Sequence, residues 1–155
     1  RRFFHSPGVV AIVALDESTP EPSLSLVRQY RPAHDRWFWE IPAGTRDVEG
    51  ESVLACARRE LVEEAGLEAG SWEQLMSIAP ATGSSNTVVD IFLARDLRAV
   101  EARPEGEEES VMQRELVPLG RVWSLLTSEP PVNATTALGI RLAAARLPDI
   151  ARWLG

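Results

Sequence analysis

The stretch ESVLACARRELVEEAGL, residues 51–67, decides how this chain is read. Leu54, Ala57, Leu61 and Ala65 recur at helical spacing, with Val53 at the edge of the stripe. Ser52 suits the N-cap and Gly66 the stop. Glu60, Glu63 and Glu64 crowd the second half of this helix beside Arg59. Glu60 and Glu64 are four apart and stack on one face. They fall on the shoulder of the apolar stripe, whereas a purely solvated pair belongs opposite it. Like charges at this spacing repel by a few tenths of a kcal/mol per pair. Half-buried neighbouring carboxylates are costly unless a cation compensates them. Two readings follow: a solvated acidic helix end, or a site for a hard cation such as Mg²⁺ or Mn²⁺, which takes oxygen ligands. Arg59, four residues before Glu63, is within pairing reach of it.

Outward from the helix, GVVAIVAL (8–15) is a continuous apolar run, the mark of a strand buried on both faces. LSLVRQY (24–30) reads as its partner strand and RWFWEI (36–41) as a short aromatic one. Trp37 and Trp39 are read as facing opposite sides of that strand, one of them toward a cleft or dimer surface. PAGTRDVEGE (42–51) reads as a loop. Strands are expected near 72–79 and 87–94, separated by the loop PATGSSN (80–86), with a shorter one within 111–119. An acidic loop covers 101–110 and a brief helix 120–126. Asn133 or Thr135 caps a last helix that runs to about Arg146, and Pro148 precedes a short terminal turn. Strands mixed with helices of this length make an α/β or α+β fold, read as one domain over 1–155.

The composition excludes several classes. A net charge of −7 disfavours nucleic acid as a partner. No apolar run approaches the ~20 residues that span a bilayer. All 16 basic residues are arginine, which excludes a Schiff-base lysine and a lysine-dependent phosphate loop. The single cysteine, Cys56, is read as a packed small hydrophobe, consistent with a reducing cytoplasm. His5 and His34 lack partners at metal-ligand spacing and are read as surface residues.

GTRDVEGESVLACARRELVEEAGL (44–67) resembles the Nudix box, G-x5-E-x7-R-E-U-x-E-E-x-G-U with U apolar. Glu51, Arg59, Glu60, Leu61, Glu63, Glu64, Gly66 and Leu67 match. Six residues separate Gly44 from Glu51 where the pattern has five, so Thr45 stands at the strict glycine position. The resemblance implies an α/β fold, a mixed β-sheet sandwiched between α-helices, and a divalent-metal-dependent hydrolase of nucleoside diphosphates linked to another moiety. It makes Glu60 and Glu64 the principal metal ligands, Glu63 a further ligand or supporting acid, and Arg59 the residue that orients the cluster. The carbonyl of Ala43 is an additional candidate ligand. Mg²⁺ is the expected cofactor, with Mn²⁺ an alternative.

SPGVVAIVAL, VRQYRP, WEIPAG, GSSNTVVDIFLARDL and NATTALGIRLAAAR extend the resemblance to the ADP-ribose pyrophosphatase branch. In that branch the products would be AMP and ribose 5-phosphate. Arg28 and Arg31 would lie near the substrate, since arginine suits bidentate phosphate contact. Glu40 would lie near the metal cluster or substrate, and Gly83 in the substrate loop. That loop departs from the branch, with Thr82 where proline is expected and Asn86 or Thr87 near the place of an acid. The branch places a further catalytic glutamate late in the chain, and GEEES (106–110) offers Glu109, then Glu108, as general base or extra metal ligand, with Glu107 beside them. Relatives in the branch are commonly homodimers that exchange an N-terminal segment, so a homodimer is expected, with such a segment expected ahead of Arg1. The rival readings are hydrolysis of another sugar nucleotide, hydrolysis of nucleoside triphosphates, and a nucleotide-binding module without catalysis.

Overall fold

The computed structural model describes residues 2–103, 106 and 111–155. Its centre is β1 (Val9–Asp16), whose residues Val10 to Leu15 are all buried. β1 runs parallel to β6 (Val89–Ala99) and antiparallel to β4 (Ala43–Thr45) and to the start of β2 (Ser23–Arg31). β5 (Leu67–Ile78) adds antiparallel to β6. β2 carries β3 (Arg36–Glu40) on one edge and β7 (Gln113–Pro118) on the other, both antiparallel.

The side-chain period of two in a strand divides β1 between two hydrophobic layers. Ala11, Val13 and Leu15 pack with Ile91, Leu93 and the helices α2 (Leu119–Thr127), α3 (Ala134–Arg146) and α4 (Pro148–Leu154). Val10, Ile12 and Ala14 face the other way, against Cys56, Ala57 and Leu61 of the helical segment that begins with α1 (Val53–Glu60). Each buried Val, Leu or Ile contributes roughly 1.5–3 kcal/mol. The result is a mixed sheet between helical layers, the α/β/α arrangement that the box resemblance implies. No helix among the described residues is long and apolar enough to cross a membrane.

Four local expectations need correction. Residues 43–45 form β4 inside what reads as a loop, because β1 offers an edge at Val9–Ala11 and backbone pairing needs no apolar side chains. β5 starts at Leu67, directly after Gly66; it ends the sheet and is largely exposed or half-buried, so its first residues carry little strand pattern. The terminal turn is the helix α4, with Pro148 opening it, a position where the missing N–H costs nothing. Trp37 and Trp39 share a face, as residues two apart on a strand must. Both stand across from residues of β2 on that face: Tyr30 is paired with Trp37, and Arg28 with Trp39. Tyr30 meets the Trp37 ring edge-on, while Phe38 between the tryptophans is buried.

Candidate active site

The acidic helix is capped as its sequence predicts, Ser52 Oγ accepting from the Ala55 N–H at 3.1 Å. Past Glu60 the helix widens into a π turn over Leu61–Ala65, and Gly66, at φ 65°, ends it in the left-handed region. Glu60 and Glu64 are 5% and 4% exposed, so the shoulder position inferred from the stripe is in fact the buried side.

Arg59 organises the acids. Its Nε and Nη2 donate to the two oxygens of Glu51 at 2.9 and 3.1 Å, and Nη1 donates to Glu60 at 2.8 Å and Glu63 at 3.0 Å. The hydrogen bond from Arg59 holds the Glu51 carboxyl below the ordinary carboxylate range, burial opposing it. The same bond raises the Arg59 pKa. Cys56, buried beneath this cluster, has its thiol pushed up to about 12, chiefly by burial.

β4 is the platform against which two of the carboxylates rest. The Ala43 N–H donates to Glu64 Oε2 at 2.9 Å. A Cβ built on Gly44 would lie 1.9 Å from Glu60 Cδ, so glycine alone lets the strand approach this carboxylate. The close approach therefore falls at Gly44, and the extra residue of the box lies between it and Glu51. From the far side, Arg114 of β7 donates through Nε to the Glu64 carbonyl and through Nη2 to the Glu63 carbonyl at 3.3 Å. Nothing in the local sequence around Arg114 marks it; the contact exists only because β7 pairs with β2.

Arg31 and Glu40 form a two-point ion pair, at 3.0 and 2.5 Å, with Glu40 buried. The pair lines two adjoining cavities. One, about 500 Å³, is open to solvent and is also lined by Pro32, His34, Phe38 and Val132. The other, about 110 Å³, leads past Ile41 and Thr136 to Ala43. Thr136 Oγ1 accepts from the Ile41 N–H at 3.1 Å and so fixes the strand end next to the acids.

Of the residues singled out from sequence, Arg59, Glu60, Glu63, Glu64 and Ala43 come together, and Arg31 and Glu40 line the cleft that reaches Ala43. Arg28 does not join them. Three residues from Arg31 along β2, it projects from the opposite face and stacks over Trp37, 5.5 Å from the ring centroid. Gly83 sits exposed on the turn after β5, where an added Cβ would meet nothing within 4 Å. Glu107, Glu108 and Glu109 lie outside the described residues.

The donor set suits a hard divalent ion: carboxylate oxygens outnumber the guanidinium that faces them, and Glu60 and Glu64 are buried. Among the described residues no three acidic, histidine or cysteine side chains already converge as a metal cage. Arg59 and the Ala43 N–H instead hold the oxygens of Glu60 and Glu64.

A model of the NUDIX domain matches residues 5–137. An ADP-ribose pyrophosphatase of Mycobacterium tuberculosis is 39% identical over 134 residues, 86% of this chain and 63% of the relative. An ADP-ribose pyrophosphatase of Bacillus subtilis is 31% identical over 141 residues, 91% of this chain and 74% of the relative. Among solved structures, an ADP compounds hydrolase superposes with a TM-score of 0.77 at 27% identity, covering 94% of this chain and 75% of the other. The chain thus spans just under two thirds of the mycobacterial relative's length. The box helix, its β4 platform and the extent of the family match lead to one conclusion: the chain belongs to the NUDIX domain family.

Proposed function

We propose that the chain hydrolyses the diphosphate of ADP-ribose to AMP and ribose 5-phosphate. The observation that carries this is the assembly of the buried acids Glu60 and Glu64 on β4, at the end of a cleft lined by Arg31 and Glu40. The two pyrophosphatase relatives named above supply the substrate.

In this reading Glu60 and Glu64 hold Mg²⁺, or Mn²⁺ in its place, with Glu63 and the Ala43 carbonyl as further donors. A bound divalent ion supplies charge neutralisation of the diphosphate and a bound water of lowered pKa. Arg59 keeps Glu51, Glu60 and Glu63 from splaying apart. Arg31 orients the substrate by charge-assisted hydrogen bonds to its phosphate oxygens, and Glu40 holds the guanidinium plane in place. Glu109, then Glu108, is the proposed base that takes the proton from the attacking water. A homodimer and a cytoplasmic setting complete the proposal.

A second reading, another ADP-linked compound as substrate, is favoured by the 80–86 loop, which lacks the branch's proline and acid. A substrate panel with Mg²⁺ and with EDTA separates the two. It should hold ADP-ribose, ADP-glucose, UDP-glucose, NADH and dNTPs. AMP plus ribose 5-phosphate from ADP-ribose, abolished by EDTA and by Glu64→Gln, is the expected result. Preferred turnover of another linked diphosphate would select the second reading. Absence of turnover, with nucleotide still bound, would identify a binding module.

A further inference from the structure

We propose that Arg114 is a positioning residue for the metal-binding acids, acting through the backbone of the π turn. The inference rests on the reading of Glu60 and Glu64 as ligands of a divalent ion.

The last turn of a helix leaves carbonyls without intrahelical donors. Here that turn is a π turn, wider than the α-helix before it, and it carries two of the box acids. Gly66 N–H satisfies Val62 O at 3.0 Å. The Glu63 and Glu64 carbonyls are met by one guanidinium, that of Arg114. A cation at a helix C-terminus also opposes the partial negative charge there.

The register of β7 sets where Arg114 stands. Val27 of β2 pairs with Glu40 on one side and Arg114 on the other, so Glu40, Val27 and Arg114 form one cross-strand row on one face of the sheet. That row ties the acid of the Arg31–Glu40 pair to the backbone of Glu63 and Glu64. Glu64 is then clamped at two points: its carbonyl by Arg114 and its carboxylate by the Ala43 N–H. Arg114 touches neither carboxylate in a hydrogen bond, so its influence on a bound ion would pass through backbone placement alone.

The test is Mn²⁺ binding to the protein without nucleotide, followed by electron paramagnetic resonance, together with thermal unfolding, for the parent, Arg114→Met and Arg114→Lys. Groups that support ligands from behind typically contribute 10–100-fold to metal affinity, so Arg114→Met should weaken Mn²⁺ roughly tenfold. Arg114→Lys keeps the charge but cannot bridge two carbonyls as a planar fork does, and should fall in between. If Arg114→Met does not fold, Arg114→Lys against the parent decides. Variants that melt earlier yet bind Mn²⁺ as the parent does would overturn the proposal, leaving Arg114 purely structural. A parent that binds no Mn²⁺ would instead remove the metal reading itself, and the inference with it.

Discussion

Arg59 and Glu51, eight residues apart, meet through two parallel hydrogen bonds of 2.9 and 3.1 Å that join the residue before the N-cap to the last turn of α1. Replacing Arg59 with Met removes the guanidinium that Glu51, Glu60 and Glu63 share and should destabilise the metal-free protein by about 3 kcal/mol at neutral pH. The pH dependence has a definite sign. Glu51 has a depressed pKa in the folded state, so its pairing contributes fully above the ordinary glutamate value of about 4.3 and is lost as pH falls through the depressed value. Urea unfolding between pH 7 and pH 3 should show a steeper acid decline for the parent than for Arg59→Met; parallel curves would refute this.

Gly44→Ala isolates the carboxylate from the fold. The new Cβ collides with the far end of the Glu60 side chain, which can swing away at a cost of about 1–3 kcal/mol. The variant should stay folded, with Mn²⁺ affinity reduced at least roughly tenfold. Unchanged metal affinity in a folded Gly44→Ala protein would argue that Glu60 is not a ligand.

Arg31 and Arg28 should separate cleanly in kinetics. Arg31→Lys loses the two-point geometry, and a charge-assisted hydrogen bond is worth roughly 1.5–3 kcal/mol, so kcat/KM for ADP-ribose should fall about tenfold or more. Arg28→Ala, altered on the other face of β2, should remain within about twofold of the parent, the usual range for changes away from a site. Equal losses in the two variants would mean that the substrate reaches around the β2–β3 edge to Trp37.

Cys56 reports on the integrity of the inner layer. A thiol pushed to about 12 and fully buried should not react with a disulfide reagent at pH 8, and should react at once in denaturant. Fast labelling of the native protein would show that the acidic helix lifts from the sheet.

Legibility in the sequence followed the range of the interactions involved. Ser52, Gly66 and the burial of β1 on both faces depend on neighbours in sequence, and the chain alone reveals them. The acids of the box were legible by spacing, and their burial by their place on the shoulder of the stripe. β4 was not, because Ala-Gly-Thr has no strand pattern and becomes a strand only beside β1. Arg114 was not, because its partners are about fifty residues away in sequence and are carbonyls, which carry no residue identity. Arg28 and Arg31 read alike as strand-end charges; the pleat of β2 sends them apart.

The layer beneath the acidic helix sets the small side chains Ala14, Cys56, Ala57 and Ala94 among larger ones such as Ile12, Leu61 and Phe92. Small residues let a helix sit close to a sheet, and here that closeness is what brings the carboxylates within hydrogen-bond distance of β4. The height of the helix above the sheet is therefore a tuning dimension for the chemistry. One added methylene at Ala57 or Ala14 would raise the acids away from their platform while altering no group that faces substrate. Evolution could thus weaken or sharpen this site from a place that contact with substrate never reaches.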